Sequence, residues 1–513
     1  MPTLAPMPAT LCLNANDSVV IATRDLSQGE ALTELGLAAS GVVRSSVPSG
    51  HKLAISSIRR GDPIFKYGQV IGVASRDVEP GDHVHTHNLC MSDLRNAAPA
   101  ATPSGVEAAP NQRSFRGYRR TRGRAGTRNY VAVVASVNCS ATVVRAIVEQ
   151  AERSGMMRAY ANIDGLVALT HNSGCAIAGA GESYDMLRRT LWGTAANPNI
   201  GGALFVGLGC EVVQANGLLA DSGLAGEPGY AAITIQGAGG TRAAITEGVR
   251  ALAGILEAVD QTAREDCPVS DLVLGLQCGG SDSWSGLTCN PALGNAADRL
   301  IALGGTVLLS ETPEVVGAEH LLIARAAAPE IAEKLHERIA WWKAHTAIHG
   351  VSLDNNPSPG NIAGGLTTIL EKSLGAVAKG GSMPLVDVIR YAEPVRRNGF
   401  IFMDSPGFDP CSATGQIATG ATLIAFTTGR GSAFGARPSP SIKLASNSEI
   451  YRRMPDDMDI DCGPILTGEA SIAEMGEAIL EFLIATASGR PSKSETLGYG
   501  NMEFVPWLTG ATL

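Results

Sequence analysis

Residues 96–113, NAAPAATPSGVEAAPNQR, divide the chain into two stretches whose patterns cannot serve the same fold. The segment is Pro, Ala and small polar residues with no apolar period, the composition of a linker. Before it, short apolar runs such as SVVIA, KLAISSI and QVIGVA alternate with the turn signals SQGE, RRGD and EPGD. That alternation predicts a small all-β domain over residues 1–95. After it, the pattern becomes strand, glycine turn, helix. YVAVVASVNCSATVVRAIVEQAERSG is a β-branched apolar run, a polar turn and a helical period, and GLVALTHNSGC, ALFVGLGCEVV and AAITIQGAGG repeat its first half. Alternating units of this kind build mainly parallel sheets with helices on their faces. The pattern restarts at DLVLGLQCGGSD and continues through RLIALGGTVLLSETPE, GFIFMDSP, TLIAFTTGRGS and SIKLASNSE. A multidomain α/β protein is therefore expected, with a central α/β domain over 114–265 and a C-terminal one over 266–513. The length of 513 residues suits this division at about 100–200 residues per domain.

Charge narrows the partners. With 40 basic and 49 acidic residues the formal net charge is −9, and no basic stripe is present to track a phosphate backbone, which argues against nucleic acid. No positive segment precedes a long apolar run near the start, and no stretch approaches the ~20 apolar residues of a membrane span, so a soluble cytoplasmic chain without a membrane partner is expected. Ten cysteines spread through such a chain suggest thiols, ligands or core residues before a disulfide framework.

Ligands of open parallel sheets gather at the carboxyl ends of the strands. Four cysteines hold such positions: Cys139 in SVNCSA, Cys175 in HNSGC, Cys210 in GLGCE and Cys278 in QCGGSD. Each alone suits a small side chain packed at a strand end, whereas four together suit a shared iron centre, because thiolates bind iron and iron–sulfur clusters. In DHVHTHN the i, i+2, i+4 spacing would aim His83, His85 and His87 at one face of a strand, for metal ligation or substrate binding. His171, four residues before Cys175, suits a general acid or base. Arg430, in the glycine-rich turn of TTGRGS, suits a carboxylate clamp. Lys443, alone in the apolar strand SIKLAS, either snorkels to the surface or is buried with a lowered pKa, as a catalytic base needs. Asp282, Glu311 and Glu314 follow apolar runs and suit metal or substrate hydroxyls, or simply helix starts. No Walker A, HExxH, GxSxG or GxGxxG sequence occurs.

Taken together, GHKLA, KYGQVIG, GDHVHTHN, GTRNY, THNSGC, VGLGCE, QCGGSDSWSGLTCNPALG, SETPEVVGAEHLL, NPSPGN, FTTGRGS and FVPWLTGATL resemble the altronate and galactarate dehydratase family of sugar-acid hydro-lyases over nearly the whole chain, with the histidine segment closest to the altronate branch. The resemblance implies an N-terminal β-clip domain of the antifreeze-protein-like type. It also implies iron, as a ferrous ion or a cluster, or another divalent metal. The implied reaction converts a sugar acid to its 2-keto-3-deoxy product, in a homo-oligomer. Its motifs include His85, His87, His171 and Lys443 as catalytic candidates and Arg430, Asp282, Glu311 and His83 as substrate-binding ones. Cys139, Cys175, Cys210 and Cys278 are the metal candidates. Cys289, Cys411 and Cys462 fall where the family pattern does not call for cysteine. Dehydrating a 2,3-dihydroxy acid requires a base for the α proton, cationic or Lewis-acid stabilisation of the enolate and an acid at the leaving oxygen, and these residue types supply all three. Two other readings stand beside it: elimination of another group, such as sulfite from sulfolactate, and a carbohydrate-binding protein without catalysis.

Overall fold

The computed structural model describes residues 8–91, 113–121 and 123–510; the linker expected at 96–113 lies, but for Arg113, outside them. Residues 8–91 form short antiparallel strands in two small sheets. One runs Thr10–Leu11, Val19–Ala22, Lys52–Ala54, His83–Val84, and the other joins Pro63–Lys66, Gln69–Ala74 and Leu89–Cys90. Tyr67 and Gly68, both at positive φ, make the tight hairpin between Lys66 and Gln69, and the Asp17 carboxylate accepts from both of their N–H groups. One side of this domain closes on itself around Val20, Leu26, Leu32, Val47 and Leu53. The other side, with Ile58, Ile64, Ile71, Val78 and Val84, belongs to the same apolar core as the C-terminal domain. The β domain is thus packed onto that domain.

The central domain is a four-stranded parallel sheet in the order Gly165–Leu169, Tyr130–Ala135, Ile200–Gly207, Tyr230–Thr234. Helix Ala141–Arg153 covers one face with Val143, Val144, Ile147, Val148 and Ala151, the apolar stripe expected of a helix lying on a sheet. Helix Glu182–Ala195 covers the other. The boundary is less clean than the sequence suggests: strand Ser114–Gly117 pairs with Glu265–Pro268, and Phe115 and Cys267 pack into the C-terminal core.

The C-terminal sheet has seven parallel strands in the order Leu385–Ile389, Gly399–Met403, Thr306–Leu309, Val273–Cys278, Leu423–Thr428, Ser441–Ala445, Ile460–Asp461. Its central strands are buried along their whole length, which is why each reads as an unbroken apolar run. Helices Cys289–Ala302 and Ile472–Ala487 pack on one face, and Asp409–Thr419 on the other. The chain leaves Val273–Cys278 towards Thr306–Leu309 on one side and later returns on the other side as Leu423–Thr428. The strand order therefore reverses at this point, and a crevice opens between the loops that follow Cys278 and Thr428.

Candidate active site

The crevice at the reversal is a cleft of about 490 Å³, lined by Asp282 and Trp284 from one loop, Gly429 and Arg430 from the other, and Asn447 and Arg453 beyond the next strand. Thr23 and Ser49 of the β domain complete its wall. Asp282 is buried and fully partnered. Its Oδ1 accepts from the Ser285 N–H and hydroxyl, both at 2.8 Å, and from Ser446 Oγ at 3.0 Å; its Oδ2 accepts from Ser446 Oγ at 3.1 Å and Asn447 Nδ2 at 3.2 Å. Burial pushes its carboxyl pKa up, against the pull of these donors. A Cβ on Gly429 would lie 2.0 Å from Asp282 Cγ, so only glycine lets the two loops meet. Arg430 is exposed, lines the cleft and has its backbone N–H held by Gly280 O at 2.9 Å.

Beside the cleft the β domain presents four imidazoles. The ring of His51 is 5.1 Å from His83 and 4.9 Å from His85, while His83 is 5.3 Å from His85 and 5.4 Å from His87. They are grouped differently from the expectation. Only His83–Val84 is strand; the chain then turns at His85–Asn88, where Asn88 Oδ1 accepts from the His85 N–H and Asn88 Nδ2 donates to His83 O. The turn, and not strand alternation, gathers the rings. His51, absent from the sequence-derived site, joins because it immediately precedes the strand Lys52–Ala54, which pairs with His83–Val84. Hydrogen bonds fix the tautomers: His85 Nε2 meets Ile362 O at 3.0 Å and His51 Nε2 meets Ala363 O at 3.3 Å. Both must carry their proton on Nε2, so His51 Nδ1 accepts from His83 Nε2 at 3.0 Å. Burial, reinforced by the neighbouring rings, drives His83 down to about 3, and burial with Lys52 nearby drives His85 to about 4. The group is neutral at physiological pH. Ala363, whose carbonyl His51 meets, forms part of the cleft wall together with Gly364.

Docking of the β domain is held by a buried triad. Lys52 Nζ and Lys66 Nζ lie 2.9 and 2.8 Å from the Glu371 carboxylate, with all three side chains fully enclosed. Thr367 N–H and Oγ1 also donate to Glu371 Oε2. The two cations compete for one carboxylate: burial and Lys66 push Lys52 down to about 8, while the Lys66 pKa is raised.

Cys278 does not join the other three cysteines. It ends a strand of the C-terminal sheet, buried, with its thiol 3.3 Å from Glu314 Oε2 and 4.0 Å from Glu311 Oε2, and burial raises it to about 12. Lys372 pairs with Glu314 at 2.8 Å and Lys379 with Glu311 at 3.4 Å. Glu311 therefore belongs to this inner cluster and does not line the cleft, and burial lifts its carboxyl to about 8. Cys139, Cys175 and Cys210 are exposed on the loops after three adjacent strands of the central sheet. Those loops are stitched together by Asn138 N–H to Ser173 O at 2.9 Å and Val212 N–H to Gly174 O at 3.2 Å. Among the described residues, Cys278, Glu311 and Glu314 are the one set of three or more thiol, imidazole or carboxylate groups whose donor atoms all lie within 4.8 Å of each other. A four-thiolate centre is thus not assembled, because sequence shows a strand end but not the sheet to which it belongs.

Two expected catalytic residues are engaged elsewhere. His171 is buried beneath the three-cysteine edge; its Nε2 donates to Ala135 O at 3.0 Å and its Nδ1 accepts from Ser173 N–H at 3.2 Å, so both nitrogens hold the loop. Lys443 is buried, as one of its two alternatives required, and burial lowers its pKa. Its Nζ donates to Phe434 O at 3.1 Å, and it is not part of the cleft lining.

A polar cleft lined by Arg430, Arg453, Asp282 and Glu449 at the reversal point of a parallel sheet, closed on one side by a β domain, is where an α/β fold places a small-molecule site. Residues 8–92 match the altronate/galactarate dehydratase SAF domain, residues 117–260 the second domain of D-galactarate dehydratase/altronate hydrolase, and residues 269–512 the C-terminal domain of D-galactarate/altronate dehydratase. The chain is 34% identical over 512 residues to an altronate dehydratase of Bacillus subtilis, covering 99% of this chain and 100% of that one. It is 36% identical over 458 residues to a galactarate dehydratase (L-threo-forming) of Escherichia coli, covering 86% of each. It is 34% identical over 410 residues to the (2R)-sulfolactate sulfo-lyase subunit beta of Chromohalobacter salexigens, covering 77% of this chain and 97% of that one. The protein belongs to the D-galactarate/altronate dehydratase family.

Proposed function

We propose that this protein dehydrates a sugar acid of the altronate or galactarate type to a 2-keto-3-deoxy acid, by abstraction of the α proton and loss of the β hydroxide. The observation that carries the reading is the cleft, which Arg430 and Arg453 line with Asn447 and Glu449, its wall fixed by Asp282 and flanked by neutral imidazoles. Arg430 grips the substrate carboxylate with two N–H donors and spreads the charge that develops on it as the α proton leaves. Asp282, saturated by protein donors, holds the two cleft loops in register. His87, the exposed member of the group, is the base on the β-domain side, while His83 and His85, held far below pH 7 by burial, serve as neutral hydrogen-bonding groups beside the substrate. Iron or another divalent metal, when bound, supplies a Lewis acid for the loss of hydroxide. We also infer from the family resemblance that residues 8–91 form a β-clip module and that the enzyme works in the cytoplasm as a homo-oligomer.

The test is an anaerobic panel of altronate, galactarate and sulfolactate, with ferrous iron supplied and products followed as α-keto acid and as sulfite. A 2-keto-3-deoxy acid from a sugar acid is expected. Sulfite from sulfolactate alone would make the protein a sulfo-lyase, and binding of sugar acids without turnover would make it a carbohydrate-binding protein.

A further inference from the structure

The tip of one β-domain hairpin carries a residue that its turn does not favour. Lys66 pairs with Gln69, so Tyr67 and Gly68 are the two central residues of the turn, at φ +62 and +68. Glycine, asparagine or aspartate suits such a turn, whereas a bulky side chain at positive φ is strained and persists only where its surroundings hold it. Asp17, which takes both N–H groups, holds it here. The ring, partly buried, packs against the core of the C-terminal domain. Its hydroxyl enters a slot between Gly286 and Gly375: a Cβ on Gly286 would lie 2.8 Å from that oxygen and 3.2 Å from the Gly375 Cα. Two glycines thus make room for one hydroxyl. The slot borders a small hollow lined by Ser281, Asp282, Ser285, Asn290 and Lys372, and Asp282 is a wall residue of this hollow and of the cleft alike. Lys66 hydrogen-bonds the hydroxyl as well as Glu371. An ammonium group only donates, so the hydroxyl accepts from Lys66 and its own proton is left for the hollow.

We propose that Tyr67 is a positioning residue for the dehydration: its hydroxyl, wedged against Gly286, sets the loop Ser281–Gly286 and with it Asp282 and Trp284 at the cleft. Ser285, the neighbour of Gly286, holds the Asp282 carboxylate through both its N–H and its hydroxyl, so what fixes Gly286 fixes the carboxylate. The β domain therefore acts on the cleft twice, through Thr23 and Ser49 in its wall and through this tip behind it. Docking alone would be served by phenylalanine, which fills the same space and buries no hydroxyl. The consequence for turnover rests on the sugar-acid reading, whereas the hold on the loop does not.

The experiment compares the full-length variant Tyr67→Phe with the wild type. Hydrogen exchange should accelerate at least about 10-fold in Ser281–Gly286 and stay unchanged in the docked strand Gln69–Ala74. With the sugar acid that the wild type turns over, kcat should fall at least about 10-fold while KM changes less than about threefold, the signature of a lost reacting geometry and not of lost binding. Gly286→Ala leaves the β domain untouched and puts a methyl group against the hydroxyl, so it should produce the same two effects from the opposite side. Unaltered exchange of Ser281–Gly286 in either variant, exchange in Tyr67→Phe that rises equally in Gln69–Ala74, or a kinetic loss confined to KM would each overturn the assignment. Should the wild type turn over no sugar acid, the dehydratase reading fails by itself, and the exchange measurement still decides whether Tyr67 holds the loop.

Discussion

Replacing Glu371 by Gln should loosen the β domain without substituting any residue of the cleft lining. Gln keeps the shape and one acceptor, but it strands two ammonium groups that now lie 2.9 and 2.8 Å from one buried carboxylate. Removing one member of a buried ion pair costs about 3–5 kcal/mol, because the remaining charge is left without compensation. The protein can instead release a proton. Lys52, already held near 8 by burial and by Lys66, is the group to lose it, and keeping a lysine neutral at pH 7.5 against its usual value near 10.4 costs about 4 kcal/mol. Both routes give a similar figure, so docking should weaken by about 4 kcal/mol, or roughly 1,000-fold in an opening equilibrium. Hydrogen exchange followed by mass spectrometry would read this at Gln69–Ala74, a strand whose Ile71 and Ala74 belong to the core shared with the C-terminal domain. Exchange there should accelerate by about that factor, whereas the strand Val273–Cys278 should change far less. The combined variant Lys52→Met, Lys66→Met, Glu371→Leu leaves no orphaned charge and should recover most of the protection. Unchanged exchange in Glu371→Gln, or equal loss in the combined variant, would refute the claim that stranded charge is what opens the interface.

Two further outcomes follow from the site. Arg430→Lys should fold normally yet lose about 10- to 100-fold in kcat/KM for the sugar acid, since an ammonium cannot reproduce two parallel N–H donors to a carboxylate; near-wild-type kinetics would remove Arg430 from substrate binding. The histidine group should make docking acid-sensitive. Its folded pKa values, about 3 for His83 and about 4 for His85, lie below the value near 6.5 expected in an unfolded chain. Protonation therefore favours the open or unfolded form, so Tm should be steady above pH 7, fall as the pH drops below about 6.5 and level off near 3–4. His85→Gln, which still donates to Ile362 O, should flatten that profile, and a profile identical to wild type would show that His85 carries none of it.

The strand ends were legible because a parallel strand buried on both faces has to be an unbroken apolar run, and the turns after Cys278 and Thr428 announce themselves by glycine. The crevice with Asp282 and Arg430 followed from that. What the sequence hid were meetings between distant segments: His85 with Ile362 at a separation of 277 residues, and Lys52 with Glu371 at 319. Three histidines in DHVHTHN do come together, but through a turn, and with a fourth ring supplied from another strand. The four cysteines occupy the same local setting, yet three belong to one sheet and one to another, a distinction no local pattern encodes. The adjacent pair Glu371–Lys372 is the sharpest case. In EKSLG it reads as a solvated charge pair on a helix surface, but helix Ile369–Val377 is buried over almost its whole length. Neighbours on a helix point about 100° apart, so one turn can serve two partners at once. Glu371 reaches out to the lysines of the β domain, and Lys372 reaches in to Glu314 beside Cys278. Each charge is matched on its own side, and the helix that docks the β domain is for that reason the same helix that orients the inner carboxylate. A displacement of this one turn would disturb the docking of the β domain and the inner cluster beside Cys278 together, so both contacts depend on a single short element.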